Sequence, residues 1–228
     1  QYTMYLNNLA HGDLGESYVK EGVYVDKTIA DTFPVTARRG GVAFLFALVV
    51  GITLGTTAAL SKRKRVNNVC LFVETNGVSV SSFLLSVFLF LIFGLEPRLL
   101  PFVGLRTPAK YVLPVLALSL YPISMIARLT RSSMLEVMKQ DYIILARSKG
   151  TSYKMVVIKH ALKNAMLPVV TYAGPAFAFM LTGSFVVETI FSIPGTGKEF
   201  VSNISNRDYQ MIMGLTLFLG ALIITFNI

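Results

Sequence analysis

The chain has 228 residues, of which 54% are hydrophobic and only 14% are charged, and its formal net charge is +9. A soluble domain usually has about a quarter charged residues, so this composition favours a membrane protein over a soluble enzyme or binding module. One cysteine excludes an internal disulfide, and two histidines offer little for a metal site. Excess Lys and Arg here indicates cytoplasmic loops, because no basic, aromatic-rich module typical of nucleic-acid binding is visible.

Long apolar runs dominate the sequence, and a helix that crosses a membrane needs about 20 such residues. The runs cover residues 41–61, 66–95, 111–127, 164–187 and 211–228. None shows the period-two alternation of lipid-facing strands, which excludes a closed barrel. We therefore predict an all-α polytopic membrane protein with five visible spans.

Basic loops predict the orientation of these spans. The sequence KRKR at 62–65 separates the first two runs, and a longer basic loop at 128–163 separates the third from the fourth. Both loops should be cytoplasmic, whereas segments 1–36, 96–110 and 188–210 are mixed in sign and should lie outside. Arg38 and Arg39, at the outer edge of the first run, are exceptions to this rule.

The segment DYIILARSKGTSYKMVVIKHALKNAMLP at 141–168 predicts two amphipathic helices joined by a sharp turn. Gly150 should end the first helix as a C′ glycine, and Thr151 or Ser152 should cap the second. Apolar residues recur at steps of three and four in each half: Leu135, Met138, Tyr142 and Leu145, then Met155, Ile158, Leu162 and Ala165. On the residues alone, the hairpin is either a membrane-surface helix pair or a docking surface for a partner.

The hairpin resembles the cytoplasmic EAA loop of ABC-importer permeases, in the form used by the dipeptide/oligopeptide/nickel branch. Ala146 and Gly150 match its two strict positions, and His160, Asn164 and Pro168 follow at the intervals of that branch; Ile144 and Leu145 replace the first two EAA positions. Other segments are similar to the same branch: HGDLGESY (11–18), FPVTARRG (33–40), ARLTRSSMLEVMKQDY (127–142), VVETIFSIPGTGKEF (186–200) and RDY (207–209). On these residues the chain is identified as a member of that family.

The resemblance implies a type I ABC-importer transmembrane domain of six helices. Both ends of the sequence look cut, so we expect missing sequence at each, including a sixth span before Gln1. The implied division is an external segment with the start of the first visible span at 1–40, and the transmembrane domain at 41–228. Within that domain the resemblance implies a cytoplasmic coupling loop at 132–163 and an external loop at 188–210.

The resemblance also implies partners. These are a companion permease forming a heterodimer, two cytoplasmic ABC ATPase subunits, a substrate-binding protein outside the cell and the surrounding lipid. The loop around Gly150 would seat in a groove on an ATPase and drive alternating access. ATP and Mg would be held by the ATPase, so we expect no cofactor, metal or catalytic residue in this chain.

Three sets of residues are candidates for function. Candidates for ATPase coupling are Asp141, Tyr142, Ala146, Lys149, Gly150, Thr151, His160, Asn164 and Pro168. Candidates for docking the binding protein are Gly12, Asp13, Gly15, Pro194, Gly195, Gly197, Arg207 and Asp208. Candidates for the translocation path are Glu74, Ser79, Ser82 and Thr182. Glu74, the one acid well inside a run, could instead pair with Asn67, Asn68 or a loop lysine.

Two other readings are disfavoured by the residues. GTGKEF at 195–200 resembles a phosphate-binding P-loop, but it lacks the first glycine and has Glu199 where Ser or Thr is required. A membrane-embedded enzyme would need intramembrane Asp or His residues that the apolar runs do not contain. Peptide is the predicted substrate because most of the branch carries peptides; nickel chelates, glutathione and a non-transporting sensor role stay open as alternatives.

Overall fold

The computed structural model describes residues 9, 12–61, 63–95, 109–182 and 185–227. In these residues the structure is helical, and the only strand-like pairing is an isolated antiparallel bridge between Glu16 and Tyr24. Four stretches are long and apolar enough to cross a membrane: Val25–Leu60, Tyr111–Val137, Leu167–Ile190, which includes two residues outside the described ranges, and Tyr209–Asn227. A bent helix pair would be a fifth. The predicted all-α polytopic fold is confirmed.

Helix α1, Val25–Leu60, is the longest element, with 36 residues. At 1.5 Å per residue it measures about 54 Å, well beyond the roughly 30 Å of the hydrocarbon core. The apolar run at 41–61 predicts only its second half, because hydropathy marks the part that meets lipid and not the whole helix. The helix continues without a break through Pro34 and through residue 40, the predicted boundary of the external segment.

Small residues let α1 pack closely against α4, Ala109–Val137. A Cβ on Gly51 would lie 2.8 Å from the side chain of Ile126, and one on Gly55 would overlap the carbonyl oxygen of Ala127. Such close approach is the packing mode of small residues spaced four apart in membrane helices. The buried small residues of α1 form one stripe: Gly40, Ala43, Ala47, Gly51, Gly55 and Ala58.

The second apolar run folds as two helices and not as one. Helices α2, Lys64–Ser79, and α3, Ser82–Phe90, are bent relative to each other by 101°, and a π-helical turn, Leu91–Leu95, follows α3. Ser81 begins α3 as its N-cap, because its hydroxyl accepts a hydrogen bond from the backbone N–H of Phe83 at 3.2 Å. Ser81 therefore marks the position of the break, although a serine within an apolar run does not reveal a break in the sequence.

The remaining elements complete the bundle. They are α5, Asp141–Ser148; α6, at 153–165, comprising Tyr153–Met155, the π-helical turn Val156–Ala161 and Leu162–Ala165; α7, Leu167–Leu181; α8, Phe185–Ile190; α9, Thr196–Ser205; and α10, Tyr209–Asn227. Helix α4 continues beyond the predicted run at 111–127 to Val137, and α5 and α6 form the predicted hairpin. His11 and most of the predicted external segment at 96–110 lie outside the described residues.

Candidate functional site

The turn between α5 and α6 is fixed by Gly150, whose φ is +79°. The N–H of Gly150 donates to the carbonyl of Arg147 at 2.9 Å, and the N–H of Thr151 donates to the carbonyl of Ala146 at 3.3 Å. These two bonds form a Schellman motif, so the predicted C′ role of Gly150 is confirmed. A Cβ on Gly150 would meet no atom within 4 Å, so the left-handed backbone, and not close packing within this chain, requires glycine.

Two side-chain contacts tie α5 to α6 and make the hairpin stiff. The amide Nδ2 of Asn164 donates a hydrogen bond to the hydroxyl of Tyr142 at 2.8 Å. The guanidinium of Arg147 lies over the ring of Tyr153, 5.1 Å from its centroid. Beneath them is a buried apolar cluster formed by Met134, Ile143, Val156, Val157, Ala161 and Ala165, against which the end of α1 packs.

The predicted apolar stripes of the hairpin are only partly correct. The first stripe spans two helices, because α4 ends at Val137 before α5 begins, and the buried residue of α5 is Ile143. In α6 the buried residues are Val156, Val157, Ala161 and Ala165, of which only Ala165 belongs to the predicted stripe. A π-helical turn adds a residue to one turn and so rotates the faces that a regular α-helical period assigns.

The residues left outside form an exposed apolar patch on the hairpin. We call this the hairpin patch: Tyr142, Ile144, Leu145, Tyr153, Met155 and Ile158, which are 40–66% exposed. Basic residues surround it, among them Arg147, Lys149 and Lys159. Exposed apolar side chains grouped on one hairpin in this way mark a surface that meets a partner or a membrane.

The hairpin joins span α7 almost directly. Helix α6 ends at Ala165, Met166 forms the break, and α7 begins at Leu167. Pro168, the second residue of α7, has no N–H to give to the carbonyl of Asn164, which explains the break. Of the other predicted coupling residues, Asp141 and Lys149 are exposed and His160 is half-buried. A displacement of the hairpin would therefore move α7 with it.

On the opposite, predicted external side, the carboxylate of Glu188 is held by one hydroxyl and two backbone amides. Glu188 is 4% exposed and accepts hydrogen bonds from the hydroxyl of Thr36 at 2.8 Å and from the N–H groups of Gly197 at 2.8 Å and Lys198 at 3.1 Å. The N–H of Thr196 donates to the Thr36 hydroxyl at 2.9 Å. These five residues, the Glu188 cradle, place an anion at the N-terminus of α9, where the helix dipole stabilises it.

The Glu188 cradle explains the P-loop resemblance of GTGKEF. The amides that would hold a phosphate already hold the carboxylate of Glu188. Gly195 and Gly197 are required for this approach, because a Cβ on them would lie 2.5 Å and 2.9 Å from the Glu188 Oε2. Sequence reasoning missed Glu188 as a functional residue; its position seven residues before a glycine-rich turn was the available signal.

Arg39 is buried beside the Glu188 cradle and is not a loop charge. It is 4% exposed, its guanidinium lies 4.8 Å from the ring centroid of Tyr111, and it interacts electrostatically with Glu188. Among the described residues its Nε and Nη1 have no hydrogen-bond partner. Of the two apparent exceptions to the positive-inside rule, Arg39 is therefore a charge inside the protein, whereas Arg38 is exposed.

A second buried carboxylate on this side, that of Asp208, also joins distant segments of the chain. Asp208 is 1% exposed. Its carboxylate accepts hydrogen bonds from the Ser17 hydroxyl and from the backbone N–H groups of Tyr18 at 3.2 Å and Met211 at 3.3 Å. Burial alone would raise the pKa of Asp208, but these hydrogen bonds outweigh burial and hold the pKa below its ordinary value. The joint fastens the segment before α1 to the turn between α9 and α10.

The predicted docking residues divide into surface and interior positions. Gly12, Asp13, Pro194 and Arg207 are exposed, whereas Gly195, Gly197 and Asp208 are buried and Gly15 packs against the side chain of Gln210. The exposed residues are available to a partner. The buried ones shape the Glu188 cradle and the contacts of Asp208, and these two sites hold the segments that carry the exposed residues.

Glu74 is buried and forms an ion pair. It is 3% exposed, and its Oε2 lies 3.8 Å from the Nη1 of Arg131 on α4. The same guanidinium donates to the Oδ1 of Asn67 at 2.9 Å. The structure thus favours the pairing alternative for Glu74, with Arg131 of α4 as the partner in place of Asn67, Asn68 or a loop lysine.

A cavity of about 620 Å³ lies where α2 breaks from α3, and α4 and α7 form its other walls. Ser79 and Ser82, both candidates for the path, line it together with Ser81, Tyr121, Tyr172 and Phe179. Thr182 is not among the lining residues; it is 6% exposed and its hydroxyl donates to the carbonyl of Phe179 in its own helix at 2.9 Å. Two of the four candidate path residues therefore meet at this cavity.

Comparison with known proteins gives consistent matches. Residues 51–228 match the family model described as the binding-protein-dependent transport system inner membrane component. The chain is 42% identical over 229 residues to the oligopeptide transport system permease protein OppB of Haemophilus influenzae, covering 100% of this chain and 75% of that protein. It is 41% identical over 224 residues to the dipeptide transport system permease protein DppB of Bacillus subtilis, covering 98% of this chain and 73% of that protein.

Solved structures support the fold at lower identity. A crystal structure of an amino acid ABC transporter with histidines matches with a TM-score of 0.67 at 16% identity, covering 88% of this chain and 90% of that chain. An inward-facing structure of the MetNI methionine ABC transporter matches with a TM-score of 0.67 at 15% identity, covering 87% and 93%. At these identities the similarity concerns the arrangement of helices.

Proposed function

Because this chain belongs to the family of inner membrane components of binding-protein-dependent transport systems, we propose that it is the permease subunit through which an ATP-driven importer moves peptides. The chain is a multi-pass protein of the inner membrane, and it is a transport subunit and not itself an enzyme. It would form part of the translocation path and alternate between inward-open and outward-open states.

Peptide is favoured as the substrate by the relatives that match the whole chain. Proteins 41–42% identical to it are named as permeases for oligopeptides and for dipeptides. Nickel chelates, glutathione and a sensor role without transport have no comparable support. Selection among peptides would be shared with the binding protein that delivers them.

The hairpin patch is the surface that we assign to the ATPase. Its apolar side chains are exposed, the Schellman turn and the Tyr142–Asn164 bond make it stiff, and it joins α7 through the break at Met166. When ATP closes the paired ATPases, the docked hairpin would be displaced and α7 would move with it. Reversing such an equilibrium from 1:99 to 99:1 requires about 5.5 kcal/mol of differential binding.

ATP and Mg would be bound by two partner ATPases and not by this chain. In the P-loop-like sequence GTGKEF, the backbone amides of Gly197 and Lys198 already donate to Glu188, which supports nucleotide binding by the partner ATPases. A companion permease would complete a heterodimer, and the exposed apolar faces of the spans would meet that companion and lipid. The exposed residues Gly12, Asp13, Pro194 and Arg207 would receive the binding protein.

The observation that carries this proposal is a stiff hairpin that has an exposed apolar patch and is joined to a span, and its tip at Gly150 can be tested directly. We would reconstitute the full importer with Gly150→Trp and with Gly150→Ala as the matched control. Both variants strain the left-handed turn, but only tryptophan adds bulk at a tip that faces open space. Co-purification of the ATPases and ATP-dependent uptake of a tripeptide are measured for each.

The expected result is that Gly150→Trp loses both the ATPases and uptake, whereas Gly150→Ala keeps most of both. Equal retention of the ATPases by the two variants would place the docking surface elsewhere. Retained ATPases with no tripeptide uptake by the unaltered importer would contradict peptide transport and return attention to nickel chelates and glutathione.

A further inference from the structure

Three helical segments lose their regularity around the same cavity. The α2–α3 break at Val80 and Ser81, Pro122 in α4 and Pro175 in α7 all line the space of about 620 Å³. Non-helical backbone at membrane depth is tolerated only where it is buried in protein or lines a water-filled cavity. The volume lies within the range of about 300–1,000 Å³ that is usual for ligand pockets.

The lining of this cavity is mostly apolar, with a few hydroxyl groups and no charged side chain among the described residues. Among the described residues, the hydroxyls of Ser82, Tyr121 and Tyr172 have no hydrogen-bond partner, and none of the residues that line the cavity is charged. Pro122 has no N–H to give to the carbonyl of Leu118, which is a lining residue, so the wall also offers a backbone acceptor. Apolar groups such as Val80 and Phe179 form the rest of the surface.

The nearest acid of α2 does not change this neutrality. Glu74 lies five residues before Ser79, but it is 3% exposed, is paired with Arg131 and is not among the residues that line the cavity. A charged side chain that entered the cavity would therefore lose water without gaining an opposite charge, which is costly.

We propose that this cavity is where the chain contacts the transported peptide, and that it accepts uncharged stretches of peptide. The proposal rests on the proposed function of peptide transport. Hydroxyl groups and the Leu118 carbonyl hydrogen-bond to the peptide backbone, while the apolar wall receives neutral side chains. Ser79, Ser82, Tyr121 and Tyr172 are then residues that determine specificity, and the absence of charge among the described lining residues is the basis of that specificity.

Charge placed in the cavity tests this proposal. Ser82→Asp puts a carboxylate at the first turn of α3, and Ser79→Lys puts an ammonium at the last residue of α2. Each charge suits the dipole of its own helix end, which offsets part of its cost in the cavity. Ser82→Asn and Ser79→Gln are the neutral controls, and all variants are reconstituted with the companion permease, ATPases and one binding protein.

The measured quantity is the ratio of kcat/KM for uptake of Ala-Lys-Ala to that for Ala-Glu-Ala. Ser82→Asp is expected to raise this ratio about tenfold and Ser79→Lys to lower it about tenfold, while the neutral controls keep the unaltered ratio. Selection by the binding protein is the same throughout and cancels. Charged variants that assemble and hydrolyse ATP normally but keep the unaltered ratio would overturn the inference and indicate that lipid or water fills the cavity.

A second variant covers the case in which the charged variants fail to assemble. The double change Tyr121→Phe and Tyr172→Phe preserves shape and is expected to raise KM for both peptides about tenfold through two lost hydrogen bonds. Thr216→Val, which removes a hydroxyl that donates to the carbonyl of Ile212 in its own helix at 2.7 Å, is the control. An unchanged KM would overturn the inference. If the unaltered importer moves neither peptide, the proposed function itself fails and this inference with it.

Discussion

The carboxylate of Glu188 and the hydroxyl of Thr36 lie 2.8 Å apart in a buried hydrogen bond, although 152 positions separate them in the chain. Thr36 belongs to α1, the longest helix among the described residues, and Glu188 precedes the turn, predicted to be external, that leads to α9. Since Gly197 and Lys198 donate to the same carboxylate, one side chain joins a span to the loop assigned to the binding protein. Docking on this loop would therefore act directly on α1.

Removing this carboxylate should destabilise the protein substantially. Glu188→Ala leaves two buried amides and the Thr36 hydroxyl without their acceptor, at a cost of about 2–4 kcal/mol. Glu21→Ala, at an exposed position on the same side, should change stability by less than about 0.5 kcal/mol. Thermal unfolding in mild detergent measures both. A melting temperature of Glu188→Ala equal to that of the control would contradict the cradle.

Two glycines of α1 should respond oppositely to the same substitution. A Cβ on Gly51 would lie 2.8 Å from Ile126, whereas a Cβ on Gly41 would meet nothing within 4 Å. Gly51→Ala should therefore lower the melting temperature by separating α1 from α4. Gly41→Ala should leave it unchanged or raise it, because alanine favours a helix by about 1 kcal/mol over glycine. Similar shifts in both variants would argue against close helix packing.

The pH dependence of the melting temperature should reflect the lowered pKa of Asp208. Its pKa in the folded protein lies below the ordinary value of 3.8, so the unfolded chain binds its proton first as the pH falls. The stabilisation by Asp208 is complete above that ordinary value and is lost as the pH falls through the lower, folded value. The difference in melting temperature between the unaltered protein and Asp208→Asn should be constant from pH 7 to about 5 and shrink only below about 4. A difference that already shrinks between pH 7 and 5 would mean that burial, and not hydrogen bonding, determines this pKa.

Replacing only Arg131 of the Glu74–Arg131 ion pair should destabilise the protein more than replacing both residues. Arg131→Met leaves the carboxylate of Glu74, which is 3% exposed, without its cation, and should cost about 2 kcal/mol or more. Adding Glu74→Gln should recover part of that loss, because the uncompensated charge disappears. A double-mutant cycle of thermal stabilities measures the coupling. Strictly additive effects would show that the two groups do not interact.

Substitutions at two neighbouring residues of α6 should affect ATPase binding and thermal stability separately. Ile158 is 66% exposed in the hairpin patch, whereas Val157 is 7% exposed in the cluster beneath it. Ile158→Ser should keep the melting temperature and weaken binding of the ATPases. Val157→Ser should lower the melting temperature by removing buried apolar contacts. If Ile158→Ser retained full ATPase binding, the hairpin patch would not be the docking surface.

The accuracy of the sequence-based predictions depended on whether a feature is local. Gly150 could be assigned as a helix stop because a C′ glycine is determined by its immediate neighbours, and the Schellman bonds confirm it. The start of α1 at Val25 could not be predicted, because its first half is polar and lies beyond the hydropathy signal. The break at Ser81 was hidden because serine is compatible with both a span and an N-cap.

Interactions between distant segments were the least predictable part of the site. The partner of Glu74 is Arg131, which the sequence places in a basic loop but which α4 carries back toward α2. The partners of Glu188 come from α1 and from the turn before α9, a combination that no periodicity encodes. The apolar stripe of α6 was misplaced because the π-helical turn Val156–Ala161 breaks the regular period.

The hairpin patch also has a consequence for the cell when subunits are made in unequal amounts. A copy without its ATPase would display six large apolar side chains to the cytoplasm, on a loop rich in lysine. Such a surface would associate non-specifically with other proteins. Chaperones and proteases, which act on exposed apolar segments, would also recognise it. The feature that allows the importer to assemble would thus also mark unassembled copies for removal, and so help to keep the subunits in proportion.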